Sequence, residues 1–387
     1  MDRVEIETVE RLLAGASSSE EIFGKKEEAK KNFRRLESLT HEDRYDDSLK
    51  PRAHKLFLFV HEKWEEAEKK IANGTYGDIT ISAPKIKPTE PVSFKTKKNV
   101  YTIIRRIHSG GTCGIFEAVV ESNSSLARAV IRVPHSVEDN DLMEKEANFF
   151  KLLKKQAKEI AVDKESGEAV KMFLSRFPWF LESVKLLEPG ASDKKVVTIF
   201  GQIPNMETGW FTLSEIRKEY PEGVHPRIMT FIWNKVFEGL VFAHASGVTH
   251  NAITPNHILV HAESHLGNII DWTASTVIGA GEKIPYIDSR FEEYFPDEVR
   301  NAKGEQSPSS DIYMLAWCMV YLLGGSPKEK YIPSSVPEPM RKFLNRCLQP
   351  TKSRRPRTAE IAYQEFQQIA KDLFGPKKFV ELVMPRA

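Results

Sequence analysis

The stretch Thr249-His-Asn-Ala-Ile-Thr-Pro-Asn-His-Ile-Leu-Val260 decides how this chain is read. A polar run carrying Pro255 closes on three apolar residues, Ile258, Leu259 and Val260. No carboxylate lies within it, and position 252 is alanine. A methyl group can neither accept a proton nor hold a metal ion. A short way downstream, Ile269-Ile-Asp-Trp-Thr-Ala-Ser275 sets one carboxylate, Asp271, directly after an apolar run.

The pattern differs on the two sides of this stretch. Upstream, VYTIIRRI (100–107), IFEAVV (115–120), ARAVIRVP (127–134), VKLLEP (184–189) and KKVVTIFGQI (194–203) are rich in β-branched residues and read as strands. Among them NDLMEKEANFFKLLKKQ (140–156) reads as a helix with an Asn/Asp start. From about residue 212 onward the pattern is mostly helical. Strands first and helices later predict an α+β domain.

Several of these segments, in this order, resemble the motifs of protein kinases over roughly residues 100–375. Ile107-His-Ser-Gly-Gly-Thr-Cys-Gly114 resembles the glycine-rich loop that covers nucleotide phosphates. Gly111 and Gly114 match its second and third glycines, Gly110 lies beside them, and Ser109 stands for the first. Taken alone, the segment reads as a Gly-rich hairpin turn. Ala129-Val-Ile-Arg132 stands where V-A-I-K occurs, so Arg132 replaces the lysine that reaches the phosphates, and Glu146 sits where its helix partner would lie. Two roles stand for Arg132: contact with a ligand, or a structural pair with Glu146. Residues 249–260 resemble the catalytic loop H-R-D-x-K-P-x-N-I-L-V. His250, Pro255, Ile258, Leu259 and Val260 keep the framework, while Asn251, Ala252, Thr254 and His257 replace the arginine, aspartate, lysine and asparagine. In the family the aspartate accepts the proton of the attacking hydroxyl and the asparagine positions metal. No catalytic residue is therefore assigned. Asp271 stands in for the aspartate of D-F-G, either as a ligand to nucleotide-borne Mg²⁺ or as a buried aspartate capping a turn. Later segments follow the family too: Pro296-Asp-Glu298, the apolar SDIYMLAWCMVYLL (310–323), and CLQPTKSRRPRTAEIA (347–362), whose Arg355 would pair with Glu298. The resemblance implies a bilobal kinase-like domain over 99–375, with a small lobe to about 205, a large lobe from about 206, and a tail over 376–387. Gln202 to Asn205 would line an adenine pocket, and ATP with Mg²⁺ would be the cofactors.

Residues 1–77 read as a small helical bundle. In VEIETVERLLAG (4–15), Ile6, Val9, Leu12 and Leu13 share a face. EEAKKNFRRLESL (27–39) puts Ala29, Phe33, Leu36 and Leu39 on one side and Lys30, Lys31, Arg34 and Arg35 elsewhere. Ala53, Phe57, Val60, Trp64, Ala67 and Ile71 form a sustained apolar stripe. The basic helix followed by His41-Glu-Asp43 resembles the J domain of DnaJ-type co-chaperones, with Glu42 in place of the proline of H-P-D. That resemblance implies docking on a DnaK-type chaperone through Lys30, Lys31, Arg34, Arg35, His41 and Asp43. Without it, the segment is a helical bundle with a solvated basic face. Residues 78–98 carry Pro84, Pro88, Pro91 and several lysines and read as a linker.

Composition narrows the function. Lys and Arg number 56 against 54 Asp and Glu, so no global nucleic-acid field exists and none is expected as partner. The three cysteines, Cys113, Cys318 and Cys347, have no metal or disulfide spacing. No long apolar run suggests a membrane span, and the acidic start lacks a signal-peptide pattern, so a soluble, cytoplasmic protein is expected. Three functions stand. One is a kinase-like adaptor that recruits a DnaK-type chaperone and binds a protein client or nucleotide. Another is an atypical phosphotransferase using Asp271 for metal. The third is a purely structural interaction module.

Overall fold

The computed structural model describes residues 18–24, 26–46, 48–73, 92–122, 125–187, 191–202, 209–282, 284–301, 306–376 and 380–385, with Ile6, Val9, Glu10, Leu13 and Tyr76 besides. They fall in two compact units, Met1–Glu90 and Pro91–Ala387.

The first unit contains α1 (Ser19–Phe23), α2 (Lys26–Thr40) and α3 (Lys50–Ala72), with a 3-10 turn at Glu42–Arg44. Ala29 and Leu36 of α2 bury against Val60, Trp64 and Ala67 of α3. Phe33 stacks on Trp64 with centroids 4.5 Å apart, while His41 meets Phe57 edge-on at 5.8 Å. As α2 advances, its partners on α3 run backwards, so the two helices are antiparallel. Phe57 and Ile71 are only half-buried and mark the rim of the apolar stripe. Ile6, Val9 and Leu13 are buried as their spacing predicts, and Leu12 lies outside the described residues, as do residues 77–91 of the expected linker.

The second unit opens on a six-stranded antiparallel sheet in the order β1-β2-β3-β4-β6-β5. Its strands are β1 (Ser93–Lys95), β2 (Val100–Ser109), β3 (Cys113–Ser122), β4 (Ser125–Pro134), β5 (Trp179–Leu187) and β6 (Lys194–Gly201). The sequence reading places 93–95 in a linker. They form instead an edge strand, with Phe94 opposite Tyr101. Residue alternation gives the sheet two faces. Ala129 and Ile131 bury on one with Tyr101, Ala118, Val120, Val197 and Ile199. Arg132 lies on the other, opposite Ile115 and Thr198.

Helix α4 (Asn140–Ile160) follows β4 and buries Met143, Glu146, Ala147, Phe150 and Leu153, the spacing of one helical face. A further helix, α5 (Lys164–Leu174), escapes the sequence reading. Asp163 and Ser166 cap its start reciprocally, the Asp163 carboxylate accepting the Ser166 N–H at 2.8 Å. Its Phe173 stacks on Phe242 at 5.6 Å.

The remainder is mostly helical. After β7 (Trp210–Thr212) and α6 (Leu213–Glu219) comes α7 (Pro226–Ala245), and the C-terminal part holds α8 (Asp297–Arg300), α9 (Pro308–Leu322), α10 (Glu338–Cys347) and α11 (Ala359–Phe374). Between them lie β8 (Val248–Thr249), β9 (Ile258–His261), β10 (Leu266–Ile269) and β11 (Thr276–Val277). Helix α9 is buried nearly all round, as its apolar sequence requires. Among the described residues, no helix is long and apolar enough to cross a membrane.

Arg355 ties α8 to the chain before α11. Its guanidinium binds both carboxylate oxygens of Glu298, donates to the carbonyls of Gln349 (2.6 Å) and Pro350 (2.7 Å), and lies 4.6 Å from the Tyr313 ring centre. Arg355→Ala leaves Glu298 poorly solvated and without a counter-charge, with the Ser310 hydroxyl still donating to it at 3.0 Å. We expect a loss of about 3–5 kcal/mol in urea unfolding, against a small effect for Arg300→Ala, whose partner Asp297 is largely exposed.

Candidate functional site

Arg132 is the centre of the site. Alternation along β4 aims it away from the apolar layer, into a place where its side chain is only 8% exposed. There it meets two carboxylates from distant elements. Nη1 pairs with Glu146 of α4, and Nη2 lies 3.1 Å from Oδ2 of Asp271, just beyond β10. Nε points to Sγ of Cys113 at 3.4 Å. Glu146 also accepts the Thr198 hydroxyl at 2.9 Å and the Trp272 N–H at 3.2 Å. The Thr273 hydroxyl donates to Oδ1 of Asp271, and Nε2 of His257 faces Oδ2 at 3.6 Å. Burial by itself would raise the Asp271 carboxyl, but the Arg132 guanidinium, then His257 and the Thr273 hydroxyl, hold it well below the usual carboxylate range. Arg132, Glu146, Asp271 and His257, all singled out from the sequence, therefore share one cluster. Its turn of chain is held in the left-handed region at Asp271 (φ 62°), and Trp272 stacks on Phe149 of α4 at 3.8 Å.

The loop from His250 to His257 is fixed by Asp311 of α9. This fully buried carboxylate accepts the backbone N–H groups of His250 and Asn251, both at 2.8 Å, and faces Nε2 of His244 at 2.9 Å. Asn251 adopts φ 64°, a conformation asparagine tolerates, and its amide donates to the Ala274 carbonyl and the Thr276 hydroxyl. Ala252 is 3% exposed, and its carbonyl accepts Nδ1–H of His257 at 2.6 Å. Thr254 is fully buried with its hydroxyl unpartnered. The loop is thus hydrogen-bonded at His250, Asn251, Ala252 and His257 and presents no carboxylate.

Gly110 and Gly111 lie in the turn between β2 and β3, and Gly114 is the second residue of β3, opposite Ser109. The Gly110 N–H bonds the Cys113 carbonyl at 2.9 Å, and the Gly110 carbonyl faces Nε2 of His135 at 2.9 Å. The space around Gly111 is open, whereas a side chain at Gly114 would strike the Phe116 ring. The sheet face that carries Arg132 continues through Glu117, opposite Val130, which pairs with Arg128 and, at 2.7 Å, with Arg105. Of the expected adenine-pocket residues, Gln202 bonds the Arg128 carbonyl through its N–H, and Ile203 to Asn205 lie outside the described residues.

Sequence reasoning missed Thr198, Thr273, Cys113 and the His257–Asp271 contact. Thr273 stands only two residues from Asp271, so its back-bond is a local signal that could be read. Thr198 comes from the neighbouring strand β6, and only the sheet register shows it.

The kinase resemblance puts a Mg²⁺-bound nucleotide beside Asp271. Mg²⁺ asks for near-octahedral oxygen ligands at roughly 2.0–2.1 Å. Both Asp271 oxygens already face donors, and the place of the second metal-holding residue is taken by an imidazole. Among the described residues, no group of three or more His, Cys, Asp or Glu side chains gathers as a metal site requires. The donor set does not fit the ion.

No protein-family model matches the chain. Over 223 residues it is 26% identical to the serine/threonine-protein kinase CHK1 of Mycosarcoma maydis, covering 48% of this chain and 33% of that protein. The chain thus matches about a third of that relative's length. The similarity to a serine/threonine kinase agrees with the mixed helix-and-sheet second unit, and together they support a kinase-like domain.

His250 predicts a pH response. Its Nδ1 accepts the Ala252 N–H (3.2 Å) and its Nε2–H donates to the Ile270 carbonyl (3.0 Å), so the ring is neutral. Burial, partly opposed by Asp311, pushes its pKa down to about 4. An unfolded histidine titrates near 6.5, above the folded value, so this contribution is complete above about pH 6.5 and disappears as the pH falls through 4. We expect on the order of 3 kcal/mol of stability to go between these limits. Urea unfolding at pH 7.5, 5.5 and 4.5 should show it, and His250→Gln should remove most of the slope.

Proposed function

We propose that this protein is a kinase-like adaptor that does not transfer phosphate and that brings a DnaK-type chaperone to a protein client. One observation carries the first half. The loop at 250–257 has the amides of His250 and Asn251 bound by Asp311, yet offers only the buried methyl group of Ala252 where the kinase resemblance requires a proton acceptor. Asp271, bound by Arg132 and held strongly acidic, is a poor base and cannot stand in.

The second half rests on the first unit. Lys30, Lys31, Arg34 and Arg35 are exposed along α2, and the turn after it leaves the Asp43 side chain 82% and the His41 side chain 50% exposed. Such a face suits an acidic partner, with the Asp43 carboxylate projecting beyond it. Electrostatic docking of this kind accelerates association and weakens with salt. A cytoplasmic location goes with this reading. The kinase-like unit would then recognise the client.

Two assays test the halves separately. Incubation with labelled ATP and Mg²⁺ should give no transfer to the chain itself or to added acceptor proteins. Transfer abolished by Asp271→Asn would establish a phosphotransferase instead. In the second assay the full chain should raise the ATPase rate of a DnaK-type chaperone several-fold, with the rise falling as salt is added. Stimulation that survives Asp43→Asn, or is absent from the wild type, ends the chaperone half.

A further inference from the structure

We infer that the buried site around Asp271 excludes divalent cations, because Arg132, His257 and Thr273 occupy the coordination places that a nucleotide-borne metal would need. The argument starts from the carboxylate. Oδ1 of Asp271 receives the Thr273 hydroxyl, which also contacts the Tyr286 hydroxyl at 2.9 Å. Oδ2 faces Nη2 of Arg132 at 3.1 Å and Nε2 of His257 at 3.6 Å. Arg132 is itself held in place by Glu146 and by Cys113, so it cannot swing aside without orphaning a buried carboxylate. A dication entering here would sit against a guanidinium in poorly solvated surroundings, where like charges repel strongly.

His257 closes the remaining approach. An asparagine there would offer an amide oxygen, which suits a hard cation, whereas imidazole suits softer metals. Its other nitrogen is tied to the Ala252 carbonyl at 2.6 Å, which fixes the ring's orientation toward Asp271. The site therefore balances two buried carboxylates with side chains of its own.

This deepens the reading that the unit does not transfer phosphate, and its failure is separable from the failure of that reading. The test is Mn²⁺ titration of the full chain, followed by the electron paramagnetic resonance signal of the free ion, with and without ATP. The wild type should leave the free-ion signal unchanged in both cases relative to the same solution without protein, in which ATP alone already takes up part of the ion. His257→Asn combined with Arg132→Lys should remove about one Mn²⁺ per chain, with His257→Gln combined with Arg132→Lys serving where the asparagine variant fails to fold. Wild-type Mn²⁺ uptake that Asp271→Asn abolishes would overturn the inference without implying transfer. Uptake retained in Asp271→Asn lies elsewhere and leaves it standing. Silence of both double variants would overturn the assignment of Arg132 and His257 as the excluding groups. Phosphate transfer by a chain that binds no Mn²⁺ would sink the proposed function alone.

Discussion

A guanidinium buried between two carboxylates organises the second unit. Arg132 brings together strand β4, helix α4 through Glu146, and the turn after β10 through Asp271. Each of these charges would be costly to bury alone, so each holds the others in position. An arginine suits this task better than a lysine, because its planar fork presents separate arms to two partners, whereas an ammonium is a point charge. The Trp272 N–H and the Thr198 hydroxyl complete Glu146, and stacking of Trp272 on Phe149 extends the junction into the apolar core. Helix position and turn position are thereby decided by one ionic cluster.

A second carboxylate does comparable work for the loop. Asp311 has no access to solvent and grips the backbone amides of His250 and Asn251. These are main-chain contacts, indifferent to which side chain stands at 252, 254 or 257. That is why a loop can lack residue types associated with chemistry and keep this shape. Fold and reaction draw on different atoms of the same segment.

The residues of the cluster were legible because their types follow one another in a recognisable order, with Arg132, Glu146 and Asp271 each next to an apolar run. What the sequence did not disclose depends on register and distance. Thr198 reaches Glu146 only because β6 lies beside β4. The short edge strand Ser93–Lys95 sits among lysines and follows Pro91, a composition that edge strands share with linkers. Helix α5 was hidden by its length and by Gly167, although the Asp163–Ser166 capping pair marks its start. In the first unit the apolar stripe was read correctly at Ala53, Val60, Trp64 and Ala67, while Phe57 and Ile71 lie at its margin.

The fully buried, unpartnered hydroxyl of Thr254 has a consequence for what this loop could accept. An aspartate placed at position 252 would put a carboxylate into a nearly closed site where the backbone carbonyl is already claimed by His257, with no cation at 254 beside it. A lysine at 254 would have to find room where there is no access to solvent. Either substitution by itself therefore costs stability without supplying a reaction, so the loop could take on such residues only together.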